Sequence, residues 1–349
     1  MFGRSRRKGN YAYTVARVKA KKSLLMKEED YDKMLMMTVP EISRYISETG
    51  YSKEMTDLAG RLSGLNLLEH ATYLNMAKVF SSILSSSAGE LYNMVSAYLD
   101  KWDIWNLKVI LRGKSYGLDA EGIREDLVPA GSLSAESLEK LISFDNDDDI
   151  IANFEKMTHM SFSQEVLAAY KASGNLGEIE DFLEKVHYER LFVSISPASR
   201  PSHLFLDYIK EEVDIKNFET ILKLKAEGIY GEPVMKYIIA GGRRMDDRLL
   251  AILANAEDMG SVLSEASQLE FGEAIKEALE TNDLRRAVSG LKRYERDKAR
   301  KFSHLYPLSV IPVIDYMINK ENEVRNIRVI ARGTESGLDR ETIKGLLVI

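Results

Sequence analysis

The sequence predicts an all-α protein built from three homologous copies of one multi-helix domain. The first observation is a ten-residue stretch that recurs three times, starting at Asp103, Asp214 and Glu323. The starts lie 111 and then 109 residues apart, too far for a solenoid of single helix pairs, whose units run roughly 20 to 50 residues. The second observation is that only 7 of 349 residues are proline, so segments rich in Leu, Ala, Glu and Lys can form uninterrupted helices.

Composition is typical of a globular protein without disulfides. Hydrophobic residues make up 45% of the chain and charged residues 29%. The lack of cysteine excludes disulfides, thiolate metal sites and a cysteine nucleophile, and it suits a reducing cytoplasm. No apolar run approaches the roughly 20 residues that span a bilayer, and no apolar segment of a signal peptide follows the basic N-terminus.

Basic residues are concentrated at the N-terminus. Residues 1–27 contain nine Lys or Arg and no acid, whereas the remaining residues contain 39 basic and 54 acidic side chains, a net charge of −15. We predict a flexible basic tail over residues 1–9, because Tyr11, Val15 and Val18 form a helical stripe after it. A solvated tail is favoured, with anionic-lipid contact second. A nucleic-acid arm stays open, although the acidic body disfavours it. The nine cations are Arg4, Arg6, Arg7, Lys8, Arg17, Lys19, Lys21, Lys22 and Lys27.

Several helix starts can be predicted ahead of the recurring stretches. Thr38 and Glu41 have the spacing of a capping box. Asp145–Asp149 is predicted to be a solvated turn, since it lacks the Gly and the terminal Glu of a calcium-binding loop. Serine side chains commonly accept a hydrogen bond from the first turn of a helix. The serines predicted as N-caps are Ser52, Ser134 and Ser163.

Each recurring stretch is predicted to lie in a helix, which is followed by a glycine-containing turn and a second helix. In the first copy Ile104, Leu107 and Ile110 fall on one face at helical spacing, together with Leu111. The Asn of each copy lies at the edge of this face, where its amide can bond a neighbouring helix or the backbone; a structural role is favoured over a ligand role. These residues are Asn106, Asn217 and Asn326, and the three repeat domains are predicted over residues 10–131, 132–242 and 243–349.

Arginine and glycine mark the predicted end of the recurring helix. We expect the helix to end near Gly113, which follows Arg112, because a helix C-terminus favours a cation and a residue tolerant of positive φ. Asp119 is the predicted N-cap of the next helix, with Glu121 in its first turn. The middle copy has Leu224 instead of the Gly, so its turn should differ. The corresponding positions are Arg332, Gly333, Asp339 and Glu341 in the third copy and Tyr230, at the cap, in the middle copy.

The sequence predicts no catalytic, cofactor-binding or metal-ligating residues. Gly113–Lys114–Ser115 has the form of a phosphate-loop ending, but the Gly required five residues earlier is Lys108. The segment also lies at the end of a predicted helix, whereas phosphate binds at helix N-termini. The five histidines are scattered, and no nucleophile elbow or dinucleotide fingerprint is present. An enzyme is therefore the weakest interpretation.

A second basic stretch covers residues 285–301. It contains eight Lys or Arg and only Glu295 and Asp297 as acids, and its pattern is helical. A solvated helix face is the simple interpretation, and contact with an acidic protein partner is the sharper one. We hypothesise that this stretch and the acidic body form separate docking surfaces, so charge reversal at Arg293 and Arg296 should weaken association in a salt-dependent way.

Six short segments, taken in their order along the chain, resemble those of a known family. With the triplicated unit, they make the chain similar over nearly its whole length to the C subunits of A-type (V/A-type) ATP synthases, and more distantly to the d subunits of vacuolar ATPases. Vacuolar relatives carry an Asp in the corner where this chain has Thr49-Gly50-Tyr51-Ser52. The segments are Tyr11-Ala12-Tyr13, Arg17-Val18-Lys19-Ala20, Tyr31 with Leu35, Glu48-Thr49-Gly50-Tyr51, Tyr98 through Asn106, and Leu111-Arg112-Gly113.

The resemblance implies an all-helical, pseudo-threefold, funnel-like subunit of the central stalk, without an active site or cofactor. Such a subunit would lie peripherally at the cytoplasmic face of the cell membrane, on the proteolipid ring, and would receive the D and F subunits of the central shaft. It would couple ion transport to ATP synthesis or hydrolysis, with no nucleic-acid partner. The alternatives are a generic helical scaffold or adaptor and, third, a protein that binds nucleic acid through its basic N-terminus.

Overall fold

Helices are the only regular secondary structure in the described part of the chain. The computed structural model describes residues 9–349, apart from the side chain of Glu178, and these residues form twenty α-helices and one short 3-10 helix without a strand. The predicted all-α class is confirmed. The predicted basic tail over residues 1–9 lies, except for Gly9, outside the described residues.

Three successive sets of helices share one order, which is three short helices, two long helices and one short helix. Helix α1 (Tyr11–Lys22) precedes them. In the first set the second long helix is interrupted at Asp100. This set comprises α2 (Glu28–Met34), α3 (Val39–Ser47), α4 (Ser52–Leu58), α5 (Gly64–Ser86), α6 (Gly89–Leu99) with α7 (Lys101–Ser115), and α8 (Ala120–Glu125).

The second and third sets repeat this order with an uninterrupted second long helix. The second set comprises α9 (Ala135–Ile142), α10 (Asp147–Thr158), α11 (Gln164–Ser173), α12 (Leu176–Ser194), α13 (Arg200–Ala226) and α14 (Glu232–Met235). The third set comprises α15 (Asp247–Asn255), α16 (Met259–Ala266), the 3-10 helix Glu273–Ile275 running into α17 (Lys276–Thr281), α18 (Leu284–Leu305), α19 (Ile311–Glu335) and α20 (Arg340–Gly345).

The chain folds into two compact units. Of the described residues, the first unit contains 9–17 together with Met37–Ser194, and the second contains Val18–Met36 together with Ile195–Ile349. The first and second sets of helices therefore each contribute to both units. The division into three repeat domains with boundaries near 132 and 243 rests on the recurrence of sequence and helix order, and it stays a prediction.

Side-chain caps explain where several helices begin. The capping box before α3 is confirmed, because the Thr38 N–H donates to Glu41 Oε2 at 2.8 Å. Ser134 and Ser163 are also confirmed as N-caps, since each hydroxyl accepts from a backbone N–H three residues later. The prediction for Ser52 is wrong: Tyr51 is the N-cap and Ser52 is the first residue of α4.

The predicted turn over Asp145–Asp149 is shorter than expected. Asn146 caps α10 by accepting a hydrogen bond from the Asp149 N–H at 2.8 Å, so the last three aspartates of the segment form the first helical turn. Carboxylates are favourable there because the N-terminus of a helix carries partial positive charge. The residues that looked like a solvated break therefore serve as a helix start.

The apolar face predicted for the recurring helix is buried in the same register in every copy. Ile104, Leu107, Ile110 and Leu111 lie in one hydrophobic core of the first unit. The equivalent residues of α13 lie in a core of the second unit, and those of α19 are buried as well. Burying the same four positions three times fixes the rotation of each helix about its axis. The equivalents are Ile215, Phe218, Ile221 and Leu222, followed by Val324, Ile327, Ile330 and Ala331.

The recurring helix ends later than predicted. Helix α7 continues through Gly113 to Ser115, and Gly117 supplies the positive φ, 70°. The Leu118 N–H donates to the Gly113 C=O at 2.9 Å, which is the long-range bond of a Schellman motif. Gly113 and Gly333, expected at the helix end, therefore lie inside their helices. The same motif closes α13 and α19 at Gly228 with Ile229 and at Gly337 with Leu338.

The turn of the middle copy closes like the others, and the difference lies where the next helix begins. Its α13 ends with the same glycine geometry as the other copies, so the expected difference is wrong there. The following helix does differ, because Gly231 rather than Tyr230 is its N-cap and the helix has four residues. In the other two copies Asp119 and Asp339 cap the short helix, as predicted, by accepting from Gly122 and Thr342.

Candidate functional site

The recurring asparagine forms the same two hydrogen bonds in all three copies. Asn217 donates from Nδ2 to the Ile239 C=O at 2.8 Å, and its Oδ1 accepts from the Ile239 N–H at 2.8 Å. We call this pair of bonds the asparagine bridge. The bridge satisfies both backbone groups of one buried residue in the segment after the short helix. The other bridges join Asn106 to Val128 at 2.8 and 2.7 Å and Asn326 to Val348 at 2.9 and 2.9 Å.

A carboxylate at the start of each recurring stretch anchors the backbone that opens another set of helices. Asp103 accepts hydrogen bonds from the N–H groups of Ser132 and Leu133 at 2.8 and 2.9 Å, just before α9. We call Asp103 and its equivalents the anchoring carboxylates. Asp214 does the same before α15. Its donors are the N–H groups of Arg243, Arg244 and Met245.

The third anchoring carboxylate takes its partner from the beginning of the chain. Glu323 accepts a hydrogen bond from the Met26 N–H at 2.6 Å, just before α2. Each anchoring carboxylate therefore holds the segment that opens a set of helices: the first holds the second set, the second holds the third, and the third holds the first. The recurring acid was visible in the sequence as Asp, Asp and Glu, but its partners were not.

Glycines let the backbone lie very close to two of the anchoring carboxylates. A Cβ atom built on Gly131 would lie 2.2 Å from Asp103 Oδ1, and one built on Gly242 would lie 2.2 Å from Asp214 Oδ1. Burial raises the pKa of both carboxyl groups, and the hydrogen bonds from the anchored backbone partly oppose that rise. Asp103 and Asp214 are thus buried carboxyl groups that are each held by two or more backbone amides.

Gly113 and Gly333 have a packing role instead of a turn role. A Cβ atom on Gly113 would lie 2.4 Å from an Ile123 side-chain carbon, and one on Gly333 would lie 2.7 Å from an Ile343 side-chain carbon. The missing side chain lets the following short helix pack directly on the long one. Gly113–Lys114–Ser115 accordingly lies in the last turns of α7, where backbone carbonyls, and not amides, are left unpaired.

The predicted basic stretch 285–301 lies within α18, and part of its charge is used internally. Lys298 lies between two carboxylates, with Nζ 2.6 Å from Glu211 and 2.5 Å from Glu270. These partners raise the pKa of Lys298, against the opposing effect of burial, and the same contacts lower the pKa of Glu270 to about 2. Lys292 pairs with Glu295 at 3.1 Å. These two lysines therefore stabilise the second unit and do not form a free docking face.

Other cations of α18 face helix α1 across a cavity of about 570 Å³ in the second unit. Arg296, Arg300 and His304 recur at four-residue spacing, which places them on one face of α18. Lys19 and Lys22 extend from α1. We call this space the basic cavity. Its remaining lining residues are Val18, Ser303, Pro312, Asp315, Asn319 and Ile349.

One buried ion pair forms part of the wall of the basic cavity. Asp315 on α19 has a side chain that is 3% exposed, and it accepts from Lys22 Nζ at 2.6 Å and from Asn319 Nδ2 at 2.9 Å. Arg296 pairs with the neighbouring, mostly exposed Asp297 at 2.8 Å. Lys19 and Lys22 have no sequence signal that joins them to the basic stretch, because more than 260 residues separate the two clusters.

The histidines lie at separate places in the structure, and two of them have ordinary packing or polar neighbours. Across the described residues, no group of three or more His, Asp or Glu side chains has the arrangement needed to hold a metal ion. His70 lies 3.8 Å from Glu125 in the first unit, and His187 is buried beside Tyr188. No helix among the described residues is long and apolar enough to cross a membrane.

Comparison with known proteins gives one consistent family. Residues 14–346 match the family model described as ATP synthase (C/AC39) subunit. The chain is 37% identical to the A-type ATP synthase C subunit of Methanosarcina acetivorans, with 97% of this chain and 93% of that protein covered. It is 36% identical to the C subunit of Methanococcoides burtonii (97% and 94% covered) and 34% identical to that of Archaeoglobus fulgidus (98% and 98% covered).

Proposed function

Since the chain belongs to the family of ATP synthase (C/AC39) subunits, we propose that it is a central-stalk (rotor) subunit of an A-type ATP synthase. It is a structural subunit and not the catalytic one. The observation that carries the proposal is the match to an A-type C subunit over 97% of the chain. In this role it joins the proteolipid ring of the membrane sector to the shaft formed by the D and F subunits, and couples ion transport to ATP synthesis or hydrolysis.

The way that the helices are held supports a mechanical role. A coupling piece must transmit torque without yielding, and densely packed helices have low compressibility. Here each asparagine bridge and each anchoring carboxylate fixes a connecting segment to a long helix by hydrogen bonds of 2.6 to 3.2 Å. Connecting segments are normally the most mobile parts of a helical protein. Fixing them in every copy reduces the deformation that a load produces.

The proposed position is the cytoplasmic face of the cell membrane, with attachment through protein contacts. A pull-down tests the proposal: the tagged chain should retain the D and F shaft subunits and the proteolipid ring from a detergent extract of membranes that contain the complex. We expect the catalytic-head subunits to be recovered only through the shaft, and to be lost when the D subunit is absent. A chain that retains neither the ring nor the shaft would contradict the central-stalk role.

The structure sharpens the docking hypothesis for the basic stretch. Lys292 and Lys298 are engaged internally, whereas charge reversal at Arg293 and Arg296 changes the face of α18 without breaking those pairs. The double variant R293E/R296E should weaken binding to an acidic partner in the complex, most strongly at low salt. A matched double reversal at the exposed Arg248 and Arg340 is the control. Equal losses in both variants, or a loss independent of salt, would argue against docking through this stretch.

A further inference from the structure

We propose that the basic cavity binds a multiply charged phosphate group. The cavity brings five cationic or titratable side chains from two helices into one concave space. Arginine recognises phosphate with two parallel N–H donors, and lysine binds it as a point charge. Arg296 and Arg300, one turn apart on α18, and Lys19 and Lys22, one turn apart on α1, supply both kinds of donor from opposite sides.

The charges that line the basic cavity are not balanced by its own carboxylate. Asp315 is the one acidic side chain among the lining residues, and its oxygens are taken by Lys22 and Asn319. Lys19, Arg300 and His304 have no ion-pair partner among the described residues and are exposed. Arg296 pairs only with Asp297, the adjacent residue, whose side chain is 59% exposed, and such a surface pair contributes little. Among the lining side chains, four lysines and arginines therefore stand against one carboxylate, an excess of cations that suits an anion.

Asp315 is specific to this copy of the repeat. At the equivalent positions of the other two long helices the chain has Val95 and Leu206, so the fold does not require a carboxylate here. Burying a carboxylate is costly unless it is paired and hydrogen-bonded. Asp315 Oδ2 lies 2.6 Å from Lys22 Nζ and so holds the Lys22 side chain at the wall of the cavity. Arg300 lines the same cavity. A positioned lysine loses less conformational entropy when an anion binds.

The size of the space favours a group larger than one phosphate ion. A volume of about 570 Å³ lies within the roughly 300 to 1,000 Å³ of small-molecule pockets. A diphosphate also carries more negative charge than one phosphate, and so can neutralise more of the cations that line the space. The ligand can be a free diphosphate in solution or the phosphates of an anionic phospholipid headgroup at a membrane surface. Both sources share the recognition chemistry.

Binding is tested on the isolated full chain, so the result is independent of whether the chain occupies the central stalk. Isothermal titration with pyrophosphate compares the parent chain, the double variant K19Q/R300Q and the control R248Q/R285Q, which removes the same number of exposed charges from the second unit outside the cavity. Sedimentation with cardiolipin vesicles, whose headgroup carries two phosphates, against phosphatidylcholine vesicles, forms the second arm. Circular dichroism of each variant checks that helix content is unchanged.

We expect K19Q/R300Q to weaken binding at least about tenfold, which corresponds to about 1.4 kcal/mol, while the control changes it less than about twofold. Such a loss in the pyrophosphate arm identifies a free diphosphate as the ligand, and the same loss confined to the vesicle arm identifies a lipid headgroup; both results support the site. Absence of binding in both arms, or equal weakening by the two double variants, overturns the proposal, and either leaves the proposed central-stalk function standing.

Discussion

Replacement of Asn217 by Ala tests whether the asparagine bridge is a main determinant of stability. The substitution removes two hydrogen bonds of 2.8 Å and leaves the buried N–H and C=O of Ile239 unpaired. Each unpaired buried group costs about 1 to 3 kcal/mol, so we expect the free energy of unfolding to fall by about 2 to 6 kcal/mol. Asn255→Ala is the matched control, because Asn255 makes one exposed bond to Ala251 within its own helix.

The measurement is chemical denaturation followed by far-UV circular dichroism, with hydrogen exchange at the Ile239 amide as a local readout. We expect the N255A variant to lose less than about 0.5 kcal/mol, as is usual for surface substitutions, and Ile239 to lose its protection only in N217A. Similar losses in the two variants would show that the bridge is replaced by water or by relaxation of the segment. Retained protection at Ile239 in N217A would refute the reasoning directly.

Three further predictions follow from buried groups. Gly242→Ala should cost about 1 to 3 kcal/mol in chemical denaturation, because the new Cβ would overlap the anchoring carboxylate; Gly60→Ala, with open space around it, should be neutral. Burial and the charge of a neighbouring aspartate raise the pKa of Asp100 to about 7, so its ionisation destabilises the native state increasingly as pH rises from about 4 to 7. Asp100→Asn should therefore raise the thermal midpoint above pH 7 and leave it unchanged below pH 4, and a uniform shift at every pH would contradict this. Lys298→Ala leaves Glu211 with only an arginine partner and should cost about 2 to 3 kcal/mol, whereas a cost below about 0.5 kcal/mol would show that the arginine suffices.

The fold class and the buried helix faces could be predicted because they depend on local periodicity. Ile104, Leu107 and Ile110 recur at the spacing of one helix face, and that spacing alone requires a partner surface. Caps such as Thr38 and Ser134 could be predicted for the same reason, since a cap residue and its hydrogen-bond partner lie within one turn. Such signals are contained in windows of a few residues.

The glycine predictions show where local signals mislead. Gly113 was expected to end a helix, but its smallness serves a contact with Ile123, and Gly117 ends the helix instead. A glycine in sequence does not reveal whether it is needed for positive φ or for close packing. Recurrence could have decided the matter, since Gly117 is glycine in all three copies whereas Gly113 is replaced by Leu224 in the middle one.

The basic cavity could not be predicted because its parts are distant in sequence. Lys22 and Asp315 are 293 residues apart, and neither has a motif that would join them. In the sequence, the cations of α1 and those of α18 form two separate clusters. In the structure, cations of both helices line the basic cavity beside α19. Lys298, in the same basic stretch, pairs with Glu211 instead.

The bond between Glu323 and Met26 has a consequence for biosynthesis. The two residues are 297 positions apart, and a ribosome adding about 5 to 20 residues per second needs roughly 15 to 60 seconds to cover that distance. During this time the segment Val18–Met36, which folds with the C-terminal part of the chain, has been made without its partner. The nascent chain therefore leaves Tyr31 and Met34, which are buried in the finished fold, without their packing partners through most of its own synthesis, until the last long helix emerges.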